Sequence, residues 1–257
     1  MPFTLTHVIA IVPVKKIPVL SRLSFSALAI GSMVPDAPIF FTFASSYETT
    51  HSLTGIVSAC LPLGLLFYAL FQCAIRTPLL EIMPRSVASK LGERKRHSPG
   101  YLAGVALAIV LGAATHLFWD SFTHPAGWGT RMVPALAQLY ELFGGRIGGY
   151  RLFQHGSSVV CLPLMAFLLW RWARQSDGPV HASVLRLSPL VKLSLSALVF
   201  AAPGLYAIAE AWAVTQSVYY GIGFAARNYG TYLAMTTIAG AALIHVWIAL
   251  ARSKLLT

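Results

Sequence analysis

The chain has 257 residues with 19 Lys and Arg against 8 Asp and Glu, a net charge of +11, yet only 11% of its residues are charged and 56% are hydrophobic. At a mean hydropathy of +0.68, one water-soluble core cannot hide so much apolar surface, which argues against a soluble enzyme, and plentiful aromatics and three cysteines exclude disorder and a disulfide scaffold. An integral membrane protein remains, and the pI near 9.9 reads as topology signals rather than nucleic-acid binding, because the basic residues fall between apolar segments.

The N-terminal MPFTLTHVIAIVPVKK has no basic residue before its apolar run and no small-residue cleavage site after it, so it is expected to stay in the mature protein. Thr4 to Val14 and Leu23 to Val34 are each about half a span long. Pro13, Pro18, Lys15, Lys16 and Arg22 separate them, which predicts a helical hairpin. A helix needs about 20 apolar residues to cross the hydrocarbon layer. Uncharged runs of that order predict spans over Ser52 to Ile75, Tyr101 to Trp119 and Tyr229 to Ala251, with shorter ones over Gly156 to Trp170 and Leu193 to Ala209. The stretch from Glu210 to Asn228 is left between an interfacial helix and a dip into the bilayer. The expected fold is therefore all-α, a polytopic helical bundle of about five spans plus the N-terminal hairpin.

Connecting segments set the orientation. The loop from Arg76 to Gly100 (a solvated basic connector in this reading), that from Arg171 to Lys192 and the tail carry twelve Lys and Arg, against four in the two loops between them. The rich side is expected in the cytoplasm, with the C-terminus, and the loops from Ser121 to His155 and from Glu210 to Asn228 outside a cytoplasmic (inner) membrane.

Ionisable side chains near a span are functional candidates, because burying them in lipid costs a few kcal/mol. In THLFWDSFTHPAGW, His116, Asp120 and His124 recur every four residues at the end of a span. On a helix His116 and Asp120 share a face and can hold one cation, an imidazole with a carboxylate suiting Zn, Mn or Fe. The expected topology puts His7, Asp36, His51 and His155 at the same membrane face. Each has a plainer reading. His116 and Asp120 can form a cap or ion pair, Asp36 can open a turn after Pro35, and His51 and His155 can be helix-start residues. Convergence on one face favours a metal site. Cys60, Cys73 and Cys161 lie in or beside apolar runs as small hydrophobes. His97 and His181 fall in basic loops and His245 lies alone in the last span, so none of the three enters the site.

The opening MPFTLTH, GSMVPD, HSLTG, THLFWDSFTH and QHGSS together resemble a bacterial membrane family catalogued as domain-of-unknown-function family 4184. The likeness covers roughly residues 1–172, a metal-site membrane domain, and leaves 173–257 as further membrane helices. That family's pattern is similar to membrane-bound metal-dependent hydrolases and, more distantly, to soluble zinc-dependent phospholipase C enzymes. The resemblance implies that His7, Asp36, His51, His116 and Asp120 are metal ligands. This chain lacks the tryptophan N-terminus that serves as a ligand in those phospholipases, so its metal count need not match theirs.

The expected activity is hydrolysis of a phosphoester or phosphoanhydride in a lipid or lipid-linked substrate at the outer membrane face. A divalent transition metal, Zn before Mn or Fe, would be the cofactor, and His124 and His155 the candidates for proton transfer or for orienting ligands. Arg131, Arg146 and Arg151 are the nearby cations for phosphate, and Trp119 and Trp128 are expected at headgroup level. The other class kept open is a non-catalytic membrane protein, an ion or metal transporter or a structural envelope partner. Transport would place polar groups along a path through the bilayer, where only His245 and Glu210 hint at depth.

Overall fold

A computed structural model describes residues 3–41, 44–88, 98–142, 145–175, 183–215 and 218–253. The chain is a multi-pass membrane protein, with five helices long and apolar enough to cross a membrane: α3 (Ile56–Ile82), α4 (Pro99–Asp120), α5 (Gly149–Arg174), α6 (Pro189–Val214) and α7 (Val218–Ser253). Two shorter apolar helices precede them, α1 (Thr4–Val14) and α2 (Phe25–Phe40). The turn between these two is closed by Lys15, whose ammonium donates to the carbonyls of Ser21 and, at 2.6 Å, Leu23.

The spans run longer than the uncharged cores that predict them, since flanking polar residues continue the helices. Of residues 210–228, those up to Val214 continue α6, and α7 begins at Val218. Part of the connector expected after Arg76 is also helical, because α3 runs on through Arg76–Ile82 with Glu81 buried. Its most basic stretch, residues 89–97, lies outside the described residues, as do His97 and His181. Among the described residues one element departs from the all-α expectation, a short hairpin of β1 (Leu139–Leu142) and β2 (Gly145–Gly148), paired from Leu139↔Gly148 to Leu142↔Gly145.

The chain divides into two compact units, Met1–Tyr68 with Arg96–Trp172, and Ala69–Lys95 with Ala173–Thr257. In the first, α4 buries Val105, Ala108, Ile109, Gly112, Ala113, His116 and Asp120, which recur at helical spacing and so lie on one stripe. The upper part of the stripe packs with Ile11, Ala27, Leu28 and Tyr68. Lower down, Ala113 joins Val34, Ala37, Ile56 and Cys60. Between α2 and α4 the backbones touch. A Cβ on Gly31 would stand 2.4 Å from the Ile109 carbonyl oxygen, and one on Gly112 2.4 Å from that of Leu28. Lipid offers helices no hydrophobic reason to associate, so close approach through small residues is what holds this pair.

The second unit shows how prolines are tolerated in apolar helices. A proline has no N–H for the carbonyl four residues back, and its ring widens the turn there. Wide π turns accordingly precede Pro78 (Phe71–Ile75) and Pro203 (Ala197–Ala201). The carbonyls so released find partners on α7. His245 Nε2 donates to Ala74 O at 2.8 Å and Thr236 Oγ1 to Val199 O at 3.1 Å, while Tyr229 OH reaches Phe200 O at 3.2 Å. His245 is thereby accounted for as a backbone partner. Glu81 acts just as locally, its carboxylate accepting from Ser183 Oγ (2.5 Å) and from the backbone N–H groups of Val184 (3.0 Å) and Leu185 (3.2 Å).

Candidate metal centre

Four elements deliver the site. Close contact at Gly31 and Gly112 brings the Ser32 carbonyl to α4, where it accepts from His116 Nδ1 at 2.8 Å. One turn beyond Gly112 comes His116, and one turn beyond that Asp120. On the facing chain Pro35 and Pro38 tighten α2 into a 3-10 turn at Val34–Asp36, which leaves Asp36 with no exposed surface. His51 follows the short helix Tyr47–Thr50, which is tied back to α2 by Thr50 Oγ1 donating to Pro35 O at 2.7 Å. His7 comes from α1.

Asp36, His51, His116 and Asp120 converge, each offering one ligand atom, with all four atoms within 4.8 Å of one another. His116 Nε2 lies 3.3 Å from Asp36 Oδ1 and 3.4 Å from Asp120 Oδ2, and His51 Nε2 lies 3.4 and 3.6 Å from the same two oxygens. Charged N–H···O hydrogen bonds are shorter, about 2.7–2.9 Å. Those four atoms, Asp36 Oδ1, Asp120 Oδ2 and the two Nε2, are buried and lack any hydrogen-bond partner among the described residues. Leaving buried polar atoms unpaired costs about 1–3 kcal/mol each. An ion with bonds of about 2.0–2.2 Å sets neighbouring ligand atoms about 3.0–3.6 Å apart, where the four N···O distances fall, and the remaining pairs lie within 4.8 Å. Two neutral imidazoles and two carboxylates also carry the charge that a divalent cation neutralises.

The opposite side of each ligand is already committed. A carbonyl only accepts, so His116 holds its proton on Nδ1, facing Ser32 O, and presents the Nε2 lone pair inward. His51 is held likewise, Nδ1 donating to Tyr47 O at 3.0 Å, while the Tyr47 ring stacks on it at 3.7 Å between centroids. Asp36 Oδ2 accepts from Thr4 Oγ1 at 2.6 Å, and Asp120 Oδ1 from Thr123 Oγ1 at 3.3 Å. Outer partners of this kind orient metal ligands and raise their basicity. Burial pulls His51 toward its neutral form, but the carboxylates of Asp120 and Asp36 outweigh it and its pKa is raised. Burial likewise, with Asp120, Asp36 and Glu48 adding to it, keeps the Tyr47 phenol protonated well above its usual range.

Other residues singled out from the sequence stand differently. His7 is stacked on His116 with centroids 3.8 Å apart, and its Nε2 is 3.6 Å from Asp120 Oδ1. It lies against the cluster but outside the four converging atoms, and both its ring nitrogens are buried without a hydrogen-bond partner among the described residues. His124 sits at the edge, its side chain 33% exposed, Nδ1 donating to Asp120 O at 3.0 Å and lying 3.8 Å from Asp120 Oδ2. His155 is exposed on α5 and is not among the converging rings. Arg146 faces Glu141 across the β hairpin at 3.5 Å, both side chains open to the surroundings.

A family model described as Domain of unknown function (DUF4184) matches residues 1–253. The chain belongs to this family. The match runs past residue 172, where the motif likeness ends, and takes in the C-terminal helices as well. No curated protein and no solved structure matches the chain. Membership in DUF4184 therefore names no reaction, and the chemistry has to be argued from the side chains. Thr4, Ser32, Tyr47 and Thr123 support the ligands without standing out in the sequence as ionisable residues do. The available signal is spacing, since Thr4 precedes His7, and Thr123 follows Asp120, by three residues.

Proposed function

We propose that the chain is a metal-dependent hydrolase of a phosphoester or phosphoanhydride in a lipid or lipid-linked substrate, working at the outer face of the cytoplasmic membrane. The observation that carries this reading is the set of four buried, unpartnered ligand atoms at metal-ligand spacing. Asp36, His51, His116 and Asp120 would hold one divalent transition metal, with Zn favoured by the mixed imidazole and carboxylate set. Such an ion, when bound, lowers the pKa of a coordinated water and offsets charge on phosphoryl oxygens.

The residues around it have distinct roles. Asp36 and Asp120 supply the compensating negative charge, and Thr4 and Thr123 fix which oxygen of each faces inward. Ser32 and Tyr47 hold the two imidazoles in the tautomer that presents Nε2. His124 occupies the exposed edge with Nδ1 committed to a carbonyl, so its Nε2 is the atom that takes a proton and passes it to a leaving oxygen. His7 stacks on His116 with both ring nitrogens buried and unpartnered among the described residues and Nε2 3.6 Å from Asp120 Oδ1, which makes it available as a further ligand. Transport is disfavoured by the second unit, where His245 and Glu210 are engaged in hydrogen bonds that hold helices together; Glu210 accepts from Asn228 (2.9 Å) and Tyr232 (2.7 Å).

Elemental analysis of detergent-purified protein, stripped of adventitious metal, tests the reading. Wild type is expected to retain about one transition-metal ion per chain, and His116→Ala and Asp120→Ala to lose it together with phosphoester hydrolysis. Folded wild-type protein without stoichiometric metal, or full activity in either variant, would overturn it.

A further inference from the structure

Residues 121–148 join the end of α4 to the start of α5, two helices long enough to cross the membrane, so both ends of the segment are anchored at one face of the bilayer. Such a linker ordinarily turns polar side chains outward. This one exposes Met132 (70%), Leu139 (66%), Trp128 (44%) and Leu142 (41%). It is also built rather than slack. Trp128 packs on Phe118 of α4 and on Phe122, with centroids 5.7 and 5.4 Å away, and a Cβ on Gly129 would meet the Phe122 ring at 2.6 Å. Thr130 Oγ1 donates to Ser121 O (3.2 Å) and His124 O (2.8 Å), and the β hairpin orders Leu139–Leu142 and Gly145–Gly148. A rigid segment that shows large apolar side chains at the level where spanning helices end is matched by the boundary between headgroups and acyl chains. Its charge is one-sided as well: Arg131 and Arg146, with Arg151 just beyond, stand against Glu141 alone.

We infer that residues 128–142 and 145–148 form an interfacial platform that lies in the headgroup layer and binds anionic phospholipid. Trp128, Met132, Leu139 and Leu142 enter the acyl boundary, and the arginines meet the phosphates. Through Thr130 the platform is fastened to the turn that carries Thr123 and His124, so phospholipid is collected beside the metal centre. The inference does not depend on that centre being catalytic.

The test uses full-length protein with Cys60, Cys73 and Cys161 replaced by alanine, checked for an unchanged Tm, in nanodiscs of phosphatidylcholine with or without phosphatidylglycerol. Spin labels at Met132→Cys and Leu142→Cys are expected to be reached by oxygen and shielded from a water-soluble nickel relaxant. Free access of the nickel reagent would place the segment in water and overturn the proposal. Shielding from both reagents would show it covered by protein, a second copy or a partner, and would also overturn it. Spin-labelled phosphatidylglycerol should show a motionally restricted fraction above that of phosphatidylcholine, an excess cut by about half or more in Arg131→Gln/Arg146→Gln. An unchanged excess in that variant would sink the role of the arginines. Neither readout uses metal or activity, so a failure here is separable from a failure of the hydrolase reading.

Discussion

Gly31 and Gly112 let α2 and α4 cross with backbone against backbone, each lacking the Cβ that would drive into the other helix at 2.4 Å. Everything in the candidate centre hangs on this crossing. It brings the Ser32 carbonyl to His116 and Asp36 to both His116 and Asp120.

A methyl group at the crossing should therefore act on the site at a distance. Gly112→Ala is expected to lower Tm in detergent, at about 1–3 kcal/mol for an overpacked contact, and to abolish metal retention although no ligand is changed. Wild-type Tm together with full metal content in this variant would show that the crossing does not position the ligands.

The hydroxyl behind Asp36 offers a milder perturbation. Thr4→Val keeps the shape and removes the 2.6 Å hydrogen bond to Oδ2. Loss of an outer partner of a metal ligand typically costs about 10–100-fold in affinity. Competition against a chromophoric chelator should show a loss of that order with the helical circular dichroism unchanged, and equal affinities would refute the orienting role.

Acidity should oppose metal binding. In the metal-free chain the pKa of His51 is raised, so its pairing with Asp36 and Asp120 stabilises the fold below the ordinary histidine value and fades as the pH climbs through the raised one. Coordination needs the neutral ring and so runs the other way, gaining about tenfold per pH unit for each proton displaced. Chelator competition at stepped pH between about 8 and about 6, a range set by histidine's ordinary titration, should give an affinity that falls steadily. A flat profile would mean that the imidazoles are not ligands.

His245 should separate cleanly from the metal chemistry. His245→Leu leaves the Ala74 carbonyl, released by Pro78, without its partner. Interhelical hydrogen bonds of this kind average about 0.6 kcal/mol and reach about 1.7 kcal/mol, so a modest drop in stability with unchanged metal content is expected. Metal loss in this variant would contradict a purely local role.

Much of this is open to reading in the amino-acid order, and the exceptions share a cause. Spans announce themselves because lipid requires long uncharged stretches, and ligands because charge in such places is rare. His51 and Asp36 can be grouped with His116 and Asp120 from topology alone. Geometry within a few ångströms is what sequence cannot rank. His7 and His124 carry the same chemistry as the four converging residues, yet one stacks behind the cluster and the other sits at its edge. His245 looks like an isolated oddity because the proline it serves lies 167 residues earlier in the chain, at Pro78. Glu81 is lost among basic residues in the sequence, and only its three donors reveal that it is buried.

The crossing also sets an order of assembly. His116 follows Ser32 by 84 residues, which a ribosome working at about 5–20 residues per second takes roughly 4–17 s to add. Throughout that interval Asp36 has no α4 to bury it. The crossing forms only when the glycine of the later helix arrives. Burial of Asp36 thus waits on α4, and a chain stalled before α4 would expose an acidic residue that the finished molecule hides completely.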